Sequence, residues 1–262
     1  MFGYILMMSL LLTIECRRSM VQKVKYNGKY EEIQPHNKIQ ETYQEKSKIR
    51  PRNNKQELYV KYLNDPSVKI VVSEGSAGCG KTLFACDAAI KQLYNGNNFV
   101  DKIVLTRPIV SVENENLGFL PGDMKTKMNP WLLPIFDIFL EYFTQKEIDK
   151  MVGDGIIEIS PLGFLRGRTF KNCFIIADEI QNATPSQVLM LSTRLGENSK
   201  LVLTGDLDQS DLYRSNGLED FTNKLKIFEK KNDLIHDIKV VEFDSSHVER
   251  SEIVKNVLRI YS

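Results

Sequence analysis

Cysteine is sparse and scattered in this chain. Cys16, Cys79, Cys86 and Cys173 are the only four, with no C-x-x-C pair and no Cys/His cluster among them. Such a set offers neither a disulfide framework nor a zinc site, and a reducing, cytoplasmic setting is the expectation. Histidine is rarer still: His36, His236 and His247 stand too far apart to form a metal set and read as surface or capping residues. Long apolar runs are missing as well. The leading candidate, the stretch from Phe2 to Ile14, is too short for a bilayer-spanning helix. Arg17 and Arg18 follow it instead of preceding it, and it ends on Glu15 and Cys16 rather than on small residues, so it does not read as a secretory signal. Met20 is an alternative start that would leave this leader outside the protein; a weak membrane or partner anchor is the other reading. Stable membrane insertion is not expected, and no internal repeat is found.

What is present is the composition of a soluble globular protein, 42% hydrophobic and 26% charged. The length of 262 residues suits one sizeable domain with an appended tail. A net charge of only +1 hides a segregation: residues 17–61 carry twelve Lys or Arg against five Glu. That basic segment could lie along a phosphate backbone or remain a solvated tail, and composition allows both. Residues 1–51 read as a leader and a basic, loosely ordered arm, with a short strand around Val21 to Tyr26. The folded body is expected over residues 52–262.

Within that body, apolar runs alternate with helical patterns. The runs are IVVS (70–73), IVLT (103–106), IIEIS (156–160), FIIAD (174–178), LVLTGD (201–206) and KVVEF (239–243). Continuous runs of this kind suit strands covered on both faces. Thr184 can cap a helix that has Pro185 in its first turn, and Val188, Leu189, Leu191 and Leu195 recur at helical spacing, which predicts a buried amphipathic helix over 184–195. The alternation predicts an α/β fold with a doubly wound, mostly parallel sheet and helices on both faces, binding ligands outside the carboxyl ends of the strands. Residues 107–143 break the pattern and are expected as an insertion over the sheet edge. Its apolar run from Trp131 to Leu140 reads as core or subunit interface.

Chemistry concentrates at three strand ends. Directly behind the first apolar run stands GSAGCGKT, residues 75–82, which satisfies the G-x-x-x-x-G-K-[ST] pattern between a strand and a helix. Gly75, Ser76, Ala77, Gly78, Cys79 and Gly80 can curl so that backbone N–H groups point inward at phosphate oxygens. The helix N-terminus that follows favours an anion. Lys81 can reach the terminal phosphates and Thr82 can ligate magnesium. Asp178 ends the FIIAD strand and is the expected second magnesium ligand, while Glu179 is placed to polarise a water. A pair of carboxylates at a strand end could instead cap the next helix. Gln209 and Asp206 follow a further strand, where an amide can contact the terminal phosphate or the attacking water.

Taken together and in order, NKQELYVKYL, GSAGCGKT, IVLTRP, LGFLPGDMKTKMNPWLLPIFD, GIIEISPLGFLRGRTF, FIIADEIQNATPSQVLMLSTRLG, KLVLTGDLDQSDL and HVERSEIVKNVLRIY resemble the PhoH family over about residues 52–262. The ATP-binding core of that family is similar to the first motor domain of superfamily 1 helicases. The resemblance therefore implies a RecA-like P-loop NTPase fold, ATP and Mg2+ as cofactors, and Lys81, Glu179 and Gln209 as catalytic residues. It further implies that Gln56 reads the adenine edge, that Gln181 stands behind the carboxylates, and that Arg107 borders a path for RNA or single-stranded DNA. Arg166 and Arg168 could contact a phosphate backbone or a neighbour's nucleotide, or form surface salt bridges. Ser76, Cys79 and Ala177 depart from the usual pattern without removing a phosphate ligand. No second set of strands follows Ser262, so an arginine for the transferring phosphate is expected from a neighbour in a homo-oligomeric ring, a hexamer, with Arg250 as the first choice. Two other readings stay open: a nucleotide-sensing module with slow hydrolysis, and a phosphotransferase to a small acceptor.

Overall fold

The computed structural model describes residues 49–94, 100–108, 133–210, 216–231 and 235–244, the backbone of 23–26 and 29–32, and positions 253, 256 and 260. The chain divides into two compact units, Met1–Glu45 and Lys46–Ser262. In the first, β1 (Lys23–Tyr26) pairs antiparallel with β2 (Lys29–Glu32).

In the second, the six apolar runs form one sheet: β3 (Ile70–Gly75), β4 (Lys102–Thr106), β5 (Ile157–Ile159), β6 (Cys173–Ala177), β7 (Lys200–Gly205) and β8 (Ile238–Phe243). Their spatial order is β5-β4-β6-β7-β3-β8, and every pairing is parallel. Parallel strands need helical crossovers, which cover both faces and explain the continuous apolar runs of the inner strands β4, β6, β7 and β3, while the edge strands β5 and β8 admit Glu158, Lys239 and Glu242. Alternate residues separate the two faces. Ile70, Val72, Ile175, Leu201 and Leu203 pack with Val188, Leu191 and Leu218, from helices α4 (Pro185–Ser192) and α5 (Gly217–Lys231). The intervening Val71, Ile103, Phe174, Ile176 and Val202 are equally buried. On that face α2 (Lys81–Tyr94) crosses β4, β6 and β7, and α1 (Asn54–Asn64) packs against α2. A fifth helix, α3 (Gln145–Gly153), adjoins β5. The observed α/β fold is the expected one, with helices on both faces of a parallel sheet.

Helix α4 is shorter than the expected 184–195. Thr184 caps it through a capping box with Gln187, and it ends at Ser192. Val188 and Leu191 are buried, but Leu189 turns outward at 65% exposure, because residues 188 and 191 share one helical face and 189, about 100° round from 188, falls off it, while Leu195 lies beyond the helix end. From the insertion, residues 133–140 are helical. Ile135 and Phe139 enter the core whereas Leu133 and Leu140 face outward. Trp131 and the LGFLPGD segment lie outside the described residues.

A buried lysine closes the end of α1. Lys200, 5% exposed, donates to the carbonyls of Tyr62 at 2.9 Å, Leu63 at 2.7 Å and Asp65 at 2.8 Å. Burial pulls its amine down to about 8, so it remains largely an ammonium with three donors at neutral pH. The last carbonyls of a helix have no partner within it and carry its negative pole. Lys200→Met should therefore remove three bonds, stranding the Tyr62 carbonyl while Leu63 O keeps Gln92 Nε2 and Asp65 O keeps Val68 N–H, and lower the unfolding free energy by about 1–3 kcal/mol in urea denaturation. An unchanged midpoint would refute the tether.

Candidate functional site

Because all six strands run the same way, β3, β6 and β7 deliver their carboxyl ends to one edge of the sheet. From β3 the chain enters the glycine-rich loop with φ of +142° at Gly75, +92° at Gly78 and +90° at Gly80. Side chains rarely adopt such angles. Gly75 is also confined in space, since a Cβ there would stand 2.3 Å from the carbonyl oxygen of Phe243. Neighbours pin the loop at three points. Ala77 N–H donates to Asp206 Oδ2 at 3.1 Å, Gln56 Nε2 to the Cys79 carbonyl at 3.1 Å, and Tyr59 Oη to the Lys81 carbonyl at 3.1 Å. Lys81 Nζ turns back onto the loop, donating to Gly75 O at 2.5 Å and Ser76 O at 3.1 Å. The Cys79 thiol is buried, which pushes its pKa up despite the nearby Lys81, so it stays protonated at neutral pH.

Across from the loop, Asp178 is 8% exposed and its Oδ1 accepts the Thr82 hydroxyl at 2.9 Å as well as the Thr204 hydroxyl. These are hard oxygen donors of the kind Mg2+ takes, and that ion needs only one or two protein ligands when phosphates and water supply the rest. Among the described residues no group of three or more His, Cys, Asp or Glu could hold a metal. Thr82 and Asp178 thus fit a magnesium ion that completes its coordination with a nucleotide.

Glu179 follows in the left-handed conformation, φ +57° and ψ +39°. Its Oε2 accepts from Gln181 Nε2 at 2.6 Å, and its Oε1 lies 3.6 Å from Arg107 Nη2. Gln181, fully buried, uses its other amide end to accept from Asp206 N–H at 3.1 Å. Gln209 Nε2 donates to Asp206 Oδ2 at 2.7 Å, the oxygen that also holds Ala77. The result is a cleft of about 230 Å3 bounded by Gly78, Lys81, Thr82, Asp178, Glu179 and Gln209. A second cavity of about 490 Å3 shares Gly78 and Gly80 with it and extends past Phe84, Arg52 and Glu141. Gln56 lines this cavity, but its amide is engaged within the chain, accepting from Arg52 N–H at 2.7 Å and donating to Cys79.

The structure brings the loop residues, Asp178, Glu179 and Gln209 together, and adds Arg107 from the end of β4. Arg166 and Arg168 do not join them. Arg168 pairs through both guanidinium nitrogens with Glu158, at 3.0 Å for Nη2, and lies 4.8 Å over the Phe170 ring. That bond also holds the Glu158 carboxyl below its usual range. Arg166 borders a separate groove with Arg194, Leu189 and Met190. Arg250 lies outside the described residues. Sequence reasoning missed Thr204, Tyr59 and the Arg107–Glu179 approach; none of them follows from a local pattern.

A family model described as PhoH-like protein matches residues 48–262. The chain is 40% identical over 198 residues to a PhoH-like protein of Synechocystis sp., covering 73% of this chain and 58% of the relative. It is 38% identical over 192 residues to a PhoH-like protein of Bacillus subtilis, with the same two coverages. With Protein PhoH of Escherichia coli K12 it shares 36% over 226 residues, 82% of this chain and 59% of the relative. The chain therefore spans less than three-fifths of the length of these curated relatives. Among solved structures, the Pif1 helicase from Candida albicans aligns at a TM-score of 0.38 and 14% identity, over 81% of this chain and 43% of that one, a likeness too slight to carry weight.

Proposed function

The chain belongs to the PhoH family, and from that premise we propose an Mg2+-dependent ATPase that couples hydrolysis to RNA or single-stranded DNA as a homo-oligomeric ring, with a hexamer as the expected assembly. One observation carries the reading. The Thr82 hydroxyl and the Asp178 carboxylate meet at 2.9 Å, beside Lys81 and within the cleft that Glu179 also lines. That the glycine-rich loop, these two oxygen ligands and the Glu179 carboxylate line one cleft supports a phosphate-binding loop, a metal site and a base in one place.

In this reading the loop N–H groups and Lys81 hold the phosphates, and Lys81 exchanges its carbonyl partners for phosphate oxygens. Held by Thr82 and Asp178, Mg2+ would supply neutralising charge on the phosphate oxygens. Glu179 accepts a proton from the attacking water, and Gln209 orients that water or the terminal phosphate. The cavity beside Phe84 and Glu141 continues from the loop and suits a base, which supports ATP over inorganic polyphosphate. Among the described residues that line the phosphate cleft, Lys81 is the only cation. A transferring phosphate benefits from a second, and Arg250 of a neighbouring copy is the proposed source. Arg107, Arg166 and the basic arm before residue 52 are the proposed nucleic-acid contacts.

The test is phosphate release from ATP by the full chain, with and without Mg2+, oligouridylate and oligothymidylate, at low salt and over a range of protein concentrations. Expected are strict Mg2+ dependence, faster turnover with nucleic acid, and specific activity that rises as rings form. Terminal-phosphate label ending on an organic acceptor would overturn hydrolysis. A rate indifferent to nucleic acid overturns the coupling, and a rate indifferent to concentration overturns the ring.

A further inference from the structure

The carboxylate with the best claim to activate water is occupied at both oxygens. Glu179 Oε2 takes the 2.6 Å bond from Gln181, and Oε1 faces the Arg107 guanidinium at 3.6 Å. A carboxylate so held has a weaker claim on a water proton, because each of its oxygens already has one acceptor site turned toward a protein donor. The two partners differ in kind. Gln181 is buried and braced from its other end by Asp206 N–H, so it is a fixed part of the site. The Arg107 side chain is 29% exposed and that of Glu179 is 34% exposed. Their approach is a single long contact, unlike the bidentate fork that makes arginine–carboxylate pairs strong.

The backbone of Arg107 is anchored. Pro108 restricts the backbone before it, and its carbonyl accepts from Leu162 N–H at 3.3 Å. Leu162 opens the turn Leu162–Leu165, which carries Phe164 at 58% exposure and is followed by Arg166. An exposed ring with an arginine two positions along the chain is a combination on which single-stranded nucleic acid can stack and neutralise its phosphates. A guanidinium accepts phosphate as readily as carboxylate, so a phosphodiester brought there competes with Glu179 for Arg107.

We propose that Arg107 is a positioning residue that holds Glu179 in a resting state, and that a single-stranded nucleic acid releases Glu179 by drawing the guanidinium onto a backbone phosphate. The inference rests on the nucleic-acid coupling proposed above. It converts that coupling into a competition between two oxyanions for one cation. By linkage the competition is reciprocal: whatever weakens the hold on Arg107 strengthens nucleic-acid binding.

The experiment uses the full chain as wild type, Arg107→Ala, Arg107→Gln and Glu179→Gln. Turnover of Mg-ATP is measured with and without oligouridylate, and affinity for labelled oligouridylate is measured by anisotropy without nucleotide. Arg107→Ala and Arg107→Gln should each raise the nucleic-acid-free rate, by roughly two- to fivefold for a pair this exposed. In both, the ratio of stimulated to basal rate should fall toward one. Glu179→Gln should bind oligouridylate tighter than wild type by a similar factor, a change that loss of folding cannot produce. Lower basal rates in both arginine variants overturn the proposal, as does unaltered affinity in Glu179→Gln. If wild type is indifferent to nucleic acid, the coupling fails, and the basal rates of the arginine variants alone decide whether Arg107 restrains Glu179.

Discussion

Glu179→Gln should bind ATP as wild type does and hydrolyse it roughly 10²–10⁴ times more slowly, the usual worth of a general base. The substitution is close to isosteric. A glutamine oxygen can still accept the 2.6 Å bond from Gln181, so the left-handed turn at Glu179 has no new reason to move. The Glu179 side chain is held by Gln181 and faces Arg107, and its direct partners among the described residues include neither a loop residue nor Thr82, so nucleotide affinity should hold. What disappears is the capacity to take a proton, and a loss of that size is about 3–5 kcal/mol on the barrier. Single-turnover rates with pre-bound ATP measure the chemical step directly. Normal single-turnover hydrolysis in this variant would remove Glu179 from the mechanism.

Lys81→Ala should act on the other quantity. In the structure Lys81 Nζ donates to two neutral carbonyls, Gly75 O and Ser76 O. A triphosphate offers charged acceptors in their place, and hydrogen bonds between ions are roughly twice as strong as neutral ones. Losing such bonds is worth about 1.5–3 kcal/mol, so ATP affinity should fall roughly 10- to 150-fold in titrations with a fluorescent ATP analogue. The loop itself should persist, since Ala77, Cys79 and the Lys81 carbonyl are held from outside by Asp206, Gln56 and Tyr59. Paired with Glu179→Gln, the variant separates binding from chemistry. If both lost binding equally, the two assigned roles would collapse into one structural role.

The strands and the phosphate loop were legible in the sequence for a shared reason. Strands buried on both faces carry near-continuous apolar runs, and a backbone with φ near +90° favours glycine, so both leave marks on consecutive residues. Asp178 and Glu179 were legible because they abut a strand end. The β1–β2 pairing also had a signal, the Asn27-Gly28 dipeptide between the two strands, which outlines a hairpin that only its first strand suggested. Side-chain pairing across the sheet edge leaves no such mark. Arg107 and Glu179 are 72 positions apart and meet only because β4 and β6 are neighbours. The outward turn of Leu189 was equally hidden, because periodicity identifies a face without fixing how wide it is.

Strand β3 has only β7 and β8 as neighbours, so the element that carries the phosphate loop is paired solely with chain made more than 120 residues later. Pairings of such long range form late, after their loop-closure entropy has been met. During translation the loop must therefore wait for its sheet neighbours, and for Asp206, until residues 200–243 have left the ribosome, with only Gln56 and Tyr59 of α1 made before it. A nascent chain halted at α5 would display β3 as a bare sheet margin instead of a binding cradle, and that is the interval in which a chaperone would have most to protect.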